Sequence, residues 1–160
     1  FQKAINSLNY RIKDKKILIL GAGGVVPSLI IALNKMEASE ITISNRTSKK
    51  AEDLKIQFNK INTVSWGEVP DFDMIINATS LGLNNETIDL NTSNIGQGKF
   101  FYDVIYNPNE TNFLKLGKKL GNQIENGKLM FIYQAFEAFR LWHGVEPNVS
   151  EKILKLLDHD

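Results

Sequence analysis

Apolar and polar residues along this chain follow two periods, and the switches between them mark out the elements. Phe1, Ala4, Ile5, Leu8 and Ile12 recur at helical spacing, which predicts an amphipathic helix over residues 1–13. Lys16 to Leu20 (KILIL) is a short apolar run that stops at glycine, the mark of a buried parallel strand. A helix follows over Val25 to Met36, with Pro27 tolerated in its first turn. The pair repeats: a strand over Glu40–Ser44, then a helix over Ser48–Asn59 with Ala51, Leu54 and Phe58 on one face. Further strands are predicted at Asn62–Ser65, Asp73–Asn77, Phe100–Ile105 and Gln123–Glu125, and helices at Asn112–Leu120 and Lys128–Trp142. Gly121 stops the first of these helices, and Gly144 and Pro147 close the second. Ser150 caps a last helix running to Leu157, so residues 128–158 form the C-terminal helices.

Strands that alternate with helices demand a parallel sheet covered on both faces. The expected fold is a Rossmann-like, doubly wound α/β domain of about six strands, occupying residues 1–160 as one unit. The polar stretch Gly82–Gly98 is a long connection with room for a single helical turn.

The uncharged stretch Ile17–Asn34 nears the length of a membrane span, but glycines and a proline interrupt it, so strand, turn and helix explain it better. A net charge of +1 gives no field suited to nucleic acid or a membrane surface. The absence of cysteine excludes disulfides and thiolate chemistry and fits a reducing, cytoplasmic setting. His143 and His159 have no ligand-spaced partner, so no metal site is expected. Trp142 is expected in the core.

Gly21, Gly23 and Gly24 sit between a strand and a helix, with Ala22 and Val25 completing the turn. Such a turn lets backbone approach phosphate oxygens, and the following helix N-terminus offers free N–H groups and partial positive charge. Val26 stands where a third glycine is usual. The next strand ends in Asn45, followed by Arg46, Thr47, Ser48, Lys49 and Lys50. An NAD site would place Asp or Glu there to accept from ribose hydroxyls, and an acid would repel a 2′-phosphate. Asn45, the Arg46 guanidinium and Lys50 would instead hold one. Thr47 can donate to the phosphate and Ser48 can cap the next helix. The cluster therefore reads as the phosphate clamp of an NADP site.

Five motifs in order, GAGG, NRT, INATSLG (Ile76–Gly82), YDVIYNPNETNFL (Tyr102–Leu114) and NGKLMFIYQAFEAFRLWHG (Asn126–Gly144), resemble the C-terminal, NADP-binding domain of the shikimate dehydrogenase family. The resemblance implies that Thr79 and Ser80 sit beside the cofactor. It implies that Val104, Gly127 and Met130 border the nicotinamide, and that Tyr106 and Gln134 reach toward substrate. On the residues alone, Gln134 equally suits a helix surface and Tyr106 a capping aromatic, while Phe131, Ala135 and Ala138 share a core spacing. The family's catalytic Lys and Asp belong to an N-terminal domain, and no residue here matches either, so an N-terminal domain is expected as the partner that shares the substrate. Two departures stand out: Pro27 occupies the turn where the family often has a basic residue, and Val104 replaces a residue that is often methionine. Quinate-using and glutamyl-tRNA reductase-type relatives, and a non-catalytic nucleotide-binding module, are the alternative readings.

Overall fold

The computed structural model describes residues 1–148, 150, 153 and 155. Six strands, β1 (Lys16–Leu20), β2 (Glu40–Ser44), β3 (Asn62–Val64), β4 (Met74–Asn77), β5 (Phe100–Asp103) and β6 (Gln123–Glu125), form one sheet. Every pairing is parallel, and the order is β3-β2-β1-β4-β5-β6. Consecutive strands run outward from β1 in one direction and from β4 in the other. The winding therefore reverses between β1 and β4, the place where open α/β sheets bind ligands.

Alternate strand residues supply two cores. Ile17, Ile19, Ile41, Ile43, Met74, Ile76, Phe100 and Tyr102 face one layer. There they meet α1 (Gln2–Ser7), α2 (Val26–Lys35) and α3 (Ser48–Gln57). Leu18, Leu20, Ile75 and Phe101 face the other, against Phe113 and Leu114 of α4 (Asn112–Lys119). Burial on both faces explains why these strands read as unbroken apolar runs. α5 (Lys128–His143) packs on α1, where Lys3 pairs with Glu137 and its ammonium lies 4.8 Å from the Phe136 ring centroid.

Several expectations need correcting. The first helix ends at Ser7 rather than near residue 13, because Asn9 and Asp14 take left-handed backbone at φ 55° and 64°. Ile12 is still buried, but from a non-helical segment. Residues 82–98 form turns and no helix; Ile88 and Leu90 cover the second face there in place of a crossover helix. Trp142 is 80 % exposed. Of α5 only Ile132 is fully buried, so Phe131, Ala135 and Ala138 do not form a core stripe. The helix expected over Ser150–Leu157 lies largely outside the described residues. Among the described residues no helix is long and apolar enough to cross a membrane.

Candidate cofactor site

The sheet register sets Ser44, Leu20, Asn77 and Asp103 side by side at one end. Three of these four are polar and fully buried, which is where the apolar strands stop and the site begins. The ladder runs one bond further: Gly21 N–H donates to Ser44 O at 2.8 Å, Ala78 N–H to Leu20 O at 2.8 Å, and Val104 N–H to Asn77 O at 3.0 Å.

The glycine turn leaves β1 at the reversal point. Gly21 adopts φ +106°, and a Cβ there would lie 2.8 Å from Ala78 O, so the position takes only glycine without strain. Gly23 and Gly24 differ: a Cβ on Gly23 would meet nothing nearer than 3.9 Å, and one on Gly24 nothing within 4 Å. The space above them is open, so their lack of side chains leaves room for a ligand rather than for the protein. Val25 is the N-cap of α2 and offers no side-chain capping bond. Val26 N–H donates to Gly23 O at 3.0 Å and Pro27 has no N–H, so the anion site at this end rests on the glycine turn, the Ser28 N–H and the helix dipole. The donor set and the vacant Cβ volumes fit a pyrophosphate.

At the end of β2, Asn45 turns its side-chain amide inward, where Nδ2 donates to Thr47 O at 2.8 Å. That bond folds the turn and leaves Oδ1 as the free acceptor. Ser48 is not the cap of α3: Thr47 takes that place, with extended backbone and no side-chain capping bond. Arg46, Thr47, Ser48, Lys49 and Lys50 are all exposed. Among the described residues no ion pair engages Arg46, Lys49 or Lys50, so the three cations are free to meet an anion.

On the far side of β1, Thr79 and Ser80 follow β4. Thr79 is half-buried and Ser80 exposed. Thr79 donates through N–H (3.1 Å) and Oγ1 (2.7 Å) to Asn77 Oδ1. Val104 and Gly127 are brought into direct contact: Gly127 N–H donates to Ile105 O at 3.0 Å, and its Cα abuts the Val104 carbonyl. Tyr106 stacks on Phe131 at 4.6 Å, one turn before Gln134 on α5. Gln134 is exposed. Met130 and Gln134 line an open cleft of about 720 Å³ together with Gly24, Val25 and Ser28 at the α2 N-terminus, Phe1, and Gln2 and Lys3 of α1. Tyr106 and Val104 are not among the residues lining it.

Sequence reasoning does not foresee three sets of hydrogen bonds. Asn77 and Asp103 join across β4 and β5, with Asn77 Nδ2 at 3.0 Å from Asp103 Oδ1. Burial pushes the Asp103 carboxyl up, while Thr111, the Ile105 N–H and Asn77 pull against it. The available signal was one polar residue ending each apolar strand, MIIN and FFYD. Asn126 ties the start of α5: Nδ2 donates to Asn109 O at 2.9 Å, and Lys128 N–H donates to Oδ1 at 3.0 Å. Glu86 pins the loop after β4, accepting from the N–H groups of Asn84 at 2.9 Å and Gly82 at 3.0 Å.

Those backbone donors lower the Glu86 pKa from 4.5 to about 2. A depressed folded pKa stabilises above the unfolded value and the benefit is lost as acid protonates the folded carboxylate. The urea midpoint of Glu86→Gln should therefore fall below that of the parent at pH 6. The gap should close as the pH drops from 4.5 toward 2. A gap that is constant with pH would contradict the loop bonds.

A glycine turn at the strand reversal, beside a turn rich in free cations and empty of acids, defines a dinucleotide-binding domain of the doubly wound class. Residues 2–110 match the family Shikimate / quinate 5-dehydrogenase, and residues 129–151 match the Shikimate 5'-dehydrogenase C-terminal domain. The chain belongs to the shikimate/quinate 5-dehydrogenase family. A protein of Pelagibacter ubique (strain HTCC1062) named shikimate dehydrogenase (NADP(+)) is 54% identical over 159 residues, 99% of this chain and 60% of its own length. The shikimate 5-dehydrogenase of Thermus thermophilus, solved in complex with NADP(H) and shikimate, matches with a TM-score of 0.85 at 28% identity. It covers 97% of this chain, which in turn spans 59% of that one. Ligand-free 5-ketofructose reductase of Gluconobacter sp. strain CHM43 gives a TM-score of 0.88 at 29% identity over 99% of this chain and 60% of its own. The chain thus spans about three fifths of the relatives it matches.

Proposed function

We propose that these 160 residues are the NADP(H)-binding half of a cytoplasmic shikimate dehydrogenase, which reduces 3-dehydroshikimate to shikimate. The observation that carries this reading is the pair of uncapped helix N-termini, α2 and α3, on one edge of the sheet, with free cations at the second alone. Gly21, Ala22, Gly23, Gly24 and Val25 hold the pyrophosphate. Asn45 to Lys50 hold the adenosine 2′-phosphate, with Asn45 Oδ1 left to accept from a ribose hydroxyl. Thr79 and Ser80 flank the cofactor, while Val104, Gly127 and Met130 border the nicotinamide. Tyr106 and Gln134 face the substrate. The NADP(+) name of the Pelagibacter relative and the NADP(H) and shikimate in the Thermus structure support the same assignment.

The bound cofactor supplies the hydride. What the reaction also needs is a group to move the hydroxyl proton, held within hydrogen-bond reach, and contacts that fix the ring. Among the described residues, the cleft beside Met130 and Gln134 is lined by three titratable side chains, Lys3, Tyr133 and Glu137, and Lys3 and Glu137 are paired with each other. Proton handling therefore falls to the N-terminal domain that the family resemblance implies.

The 160-residue chain, given NADPH and 3-dehydroshikimate, should bind the cofactor yet turn over at least about 10⁴-fold more slowly than a full-length relative, since positioning and proton transfer are both lost. Turnover at a rate near that of the relative would contradict the division of labour. Quinate and 5-ketofructose belong in the same assay, because a 5-ketofructose reductase shares this domain fold.

A further inference from the structure

We propose that Asp103 is a positioning residue for the nicotinamide half of the cofactor site, acting through Val104, Ile105 and Gly127; the proposal rests on the cofactor reading above. Asp103 is fully buried at the end of β5. Its Oδ1 accepts from Ile105 N–H at 3.0 Å and from Asn77 Nδ2 at 3.0 Å. Its Oδ2 accepts from Thr111 Oγ1 at 2.6 Å and from the same Asn77 amide at 3.1 Å. Each of these partners is fixed elsewhere. Asn77 also donates to Leu81 O at 3.0 Å and accepts from Thr79. Thr111 is the N-cap of α4 and accepts from Leu114 N–H at 3.3 Å. One carboxylate thus joins the end of β4, the end of β5 and the start of α4.

The Asn77 Nδ2 amide and the Ile105 N–H can only donate, and between them they reach both carboxylate oxygens, so both oxygens must accept. An apolar pair of equal volume would fill a core with less desolvation, so stability alone is a weak reason for a charge here. Position is a better one. The Asp103 bond to Ile105 N–H fixes the peptide that presents the Val104 carbonyl to Gly127, and Ile105 O in turn receives Gly127 N–H. Val104 and Gly127 are two of the three residues that the cofactor reading sets beside the nicotinamide. Asn45 to Lys50 share no hydrogen bond with this network among the described residues, so the adenosine half should not sense it.

Asp103→Asn keeps the volume and turns one oxygen into a donor that faces Asn77 or Thr111. The test measures affinity for NADP⁺ and for 2′,5′-ADP, the adenosine half alone, by calorimetry on parent and variant. NADP⁺ affinity should drop tenfold or more while 2′,5′-ADP stays within twofold. Thr111→Val, which removes one donor to the carboxylate together with the α4 cap bond, should shift the ratio the same way by a smaller factor, and it serves if Asp103→Asn does not fold. Equal losses for both ligands, or no loss in either variant, would overturn the positioning role. A parent chain that binds neither ligand would instead overturn the cofactor reading, and this proposal with it.

Discussion

Gly127→Ala should cost the fold about 3 kcal/mol and leave NADP⁺ binding weakened at the nicotinamide end. A Cβ on Gly127 would lie 2.0 Å from Val104 O, 2.5 Å from its carbonyl carbon and 3.1 Å from its Cα. All three are backbone atoms, so no rotamer change relieves the contact. Either β5 or the start of α5 must move. Movement of α5 stretches the 3.0 Å bond from Gly127 N–H to Ile105 O and carries Met130 away from the cleft. The glycine's backbone is ordinary at φ −76°, so the effect is one of close packing and not of conformational freedom. Urea unfolding reads the stability and calorimetry the affinity. A loss below about 0.5 kcal/mol, the range of an inert surface change, would mean that the contact between Val104 and Gly127 is not as described.

Arg46→Glu should lower affinity for NADP⁺ by roughly 100-fold and leave NAD⁺ within a few-fold of its starting value. A charge-assisted bond to phosphate contributes about 1.5–3 kcal/mol, and the new carboxylate adds repulsion to its loss. Arg46 is exposed on a turn whose shape is fixed by Asn45 rather than by its own side chain, so the substitution should not disturb α3. A carboxylate here can accept from ribose hydroxyls, which is how NAD sites are built. The two ligands differ only in the 2′-phosphate, so the ratio isolates it. Parallel losses for both would place Arg46 at the adenine or in the fold. No loss for either would remove it from the site.

The strands were legible because each is a short apolar run. KILIL stops at Gly21 and EITIS at Asn45, whereas the run through FFYD continues into Val104 and Ile105, so β5 ends two residues earlier than its sequence predicts. The glycine turn and the cation cluster were legible for the same reason: their chemistry is local in sequence. What failed was non-local or directional. α1 stopped at Ser7 because Asn9 and Asp14 bend the backbone, and apolar spacing carries no information on that. α5 carries apolar residues on every side, so its period does not reveal which face is covered. Of its apolar residues Ile132 is buried, while Phe139 and Trp142 are 43 % and 80 % exposed. Thr47 rather than Ser48 stands at the N-cap position of α3, without a side-chain capping bond, where the Asn45 amide holds its carbonyl at 2.8 Å. The bond between Asn77 and Asp103 spans 26 residues and exists only once β4 and β5 are paired.

The central claim is that residues 1–160 form an NADP site by themselves. Calorimetric titration of the chain with NADP⁺ and then NAD⁺ at moderate salt tests it most directly. A preference for NADP⁺ of tenfold or more, about 1.4 kcal/mol, is the predicted result. Equal affinity for the two dinucleotides would contradict the assignment of Asn45, Arg46 and Lys50 to the 2′-phosphate, and binding of neither would contradict the cofactor site as a whole.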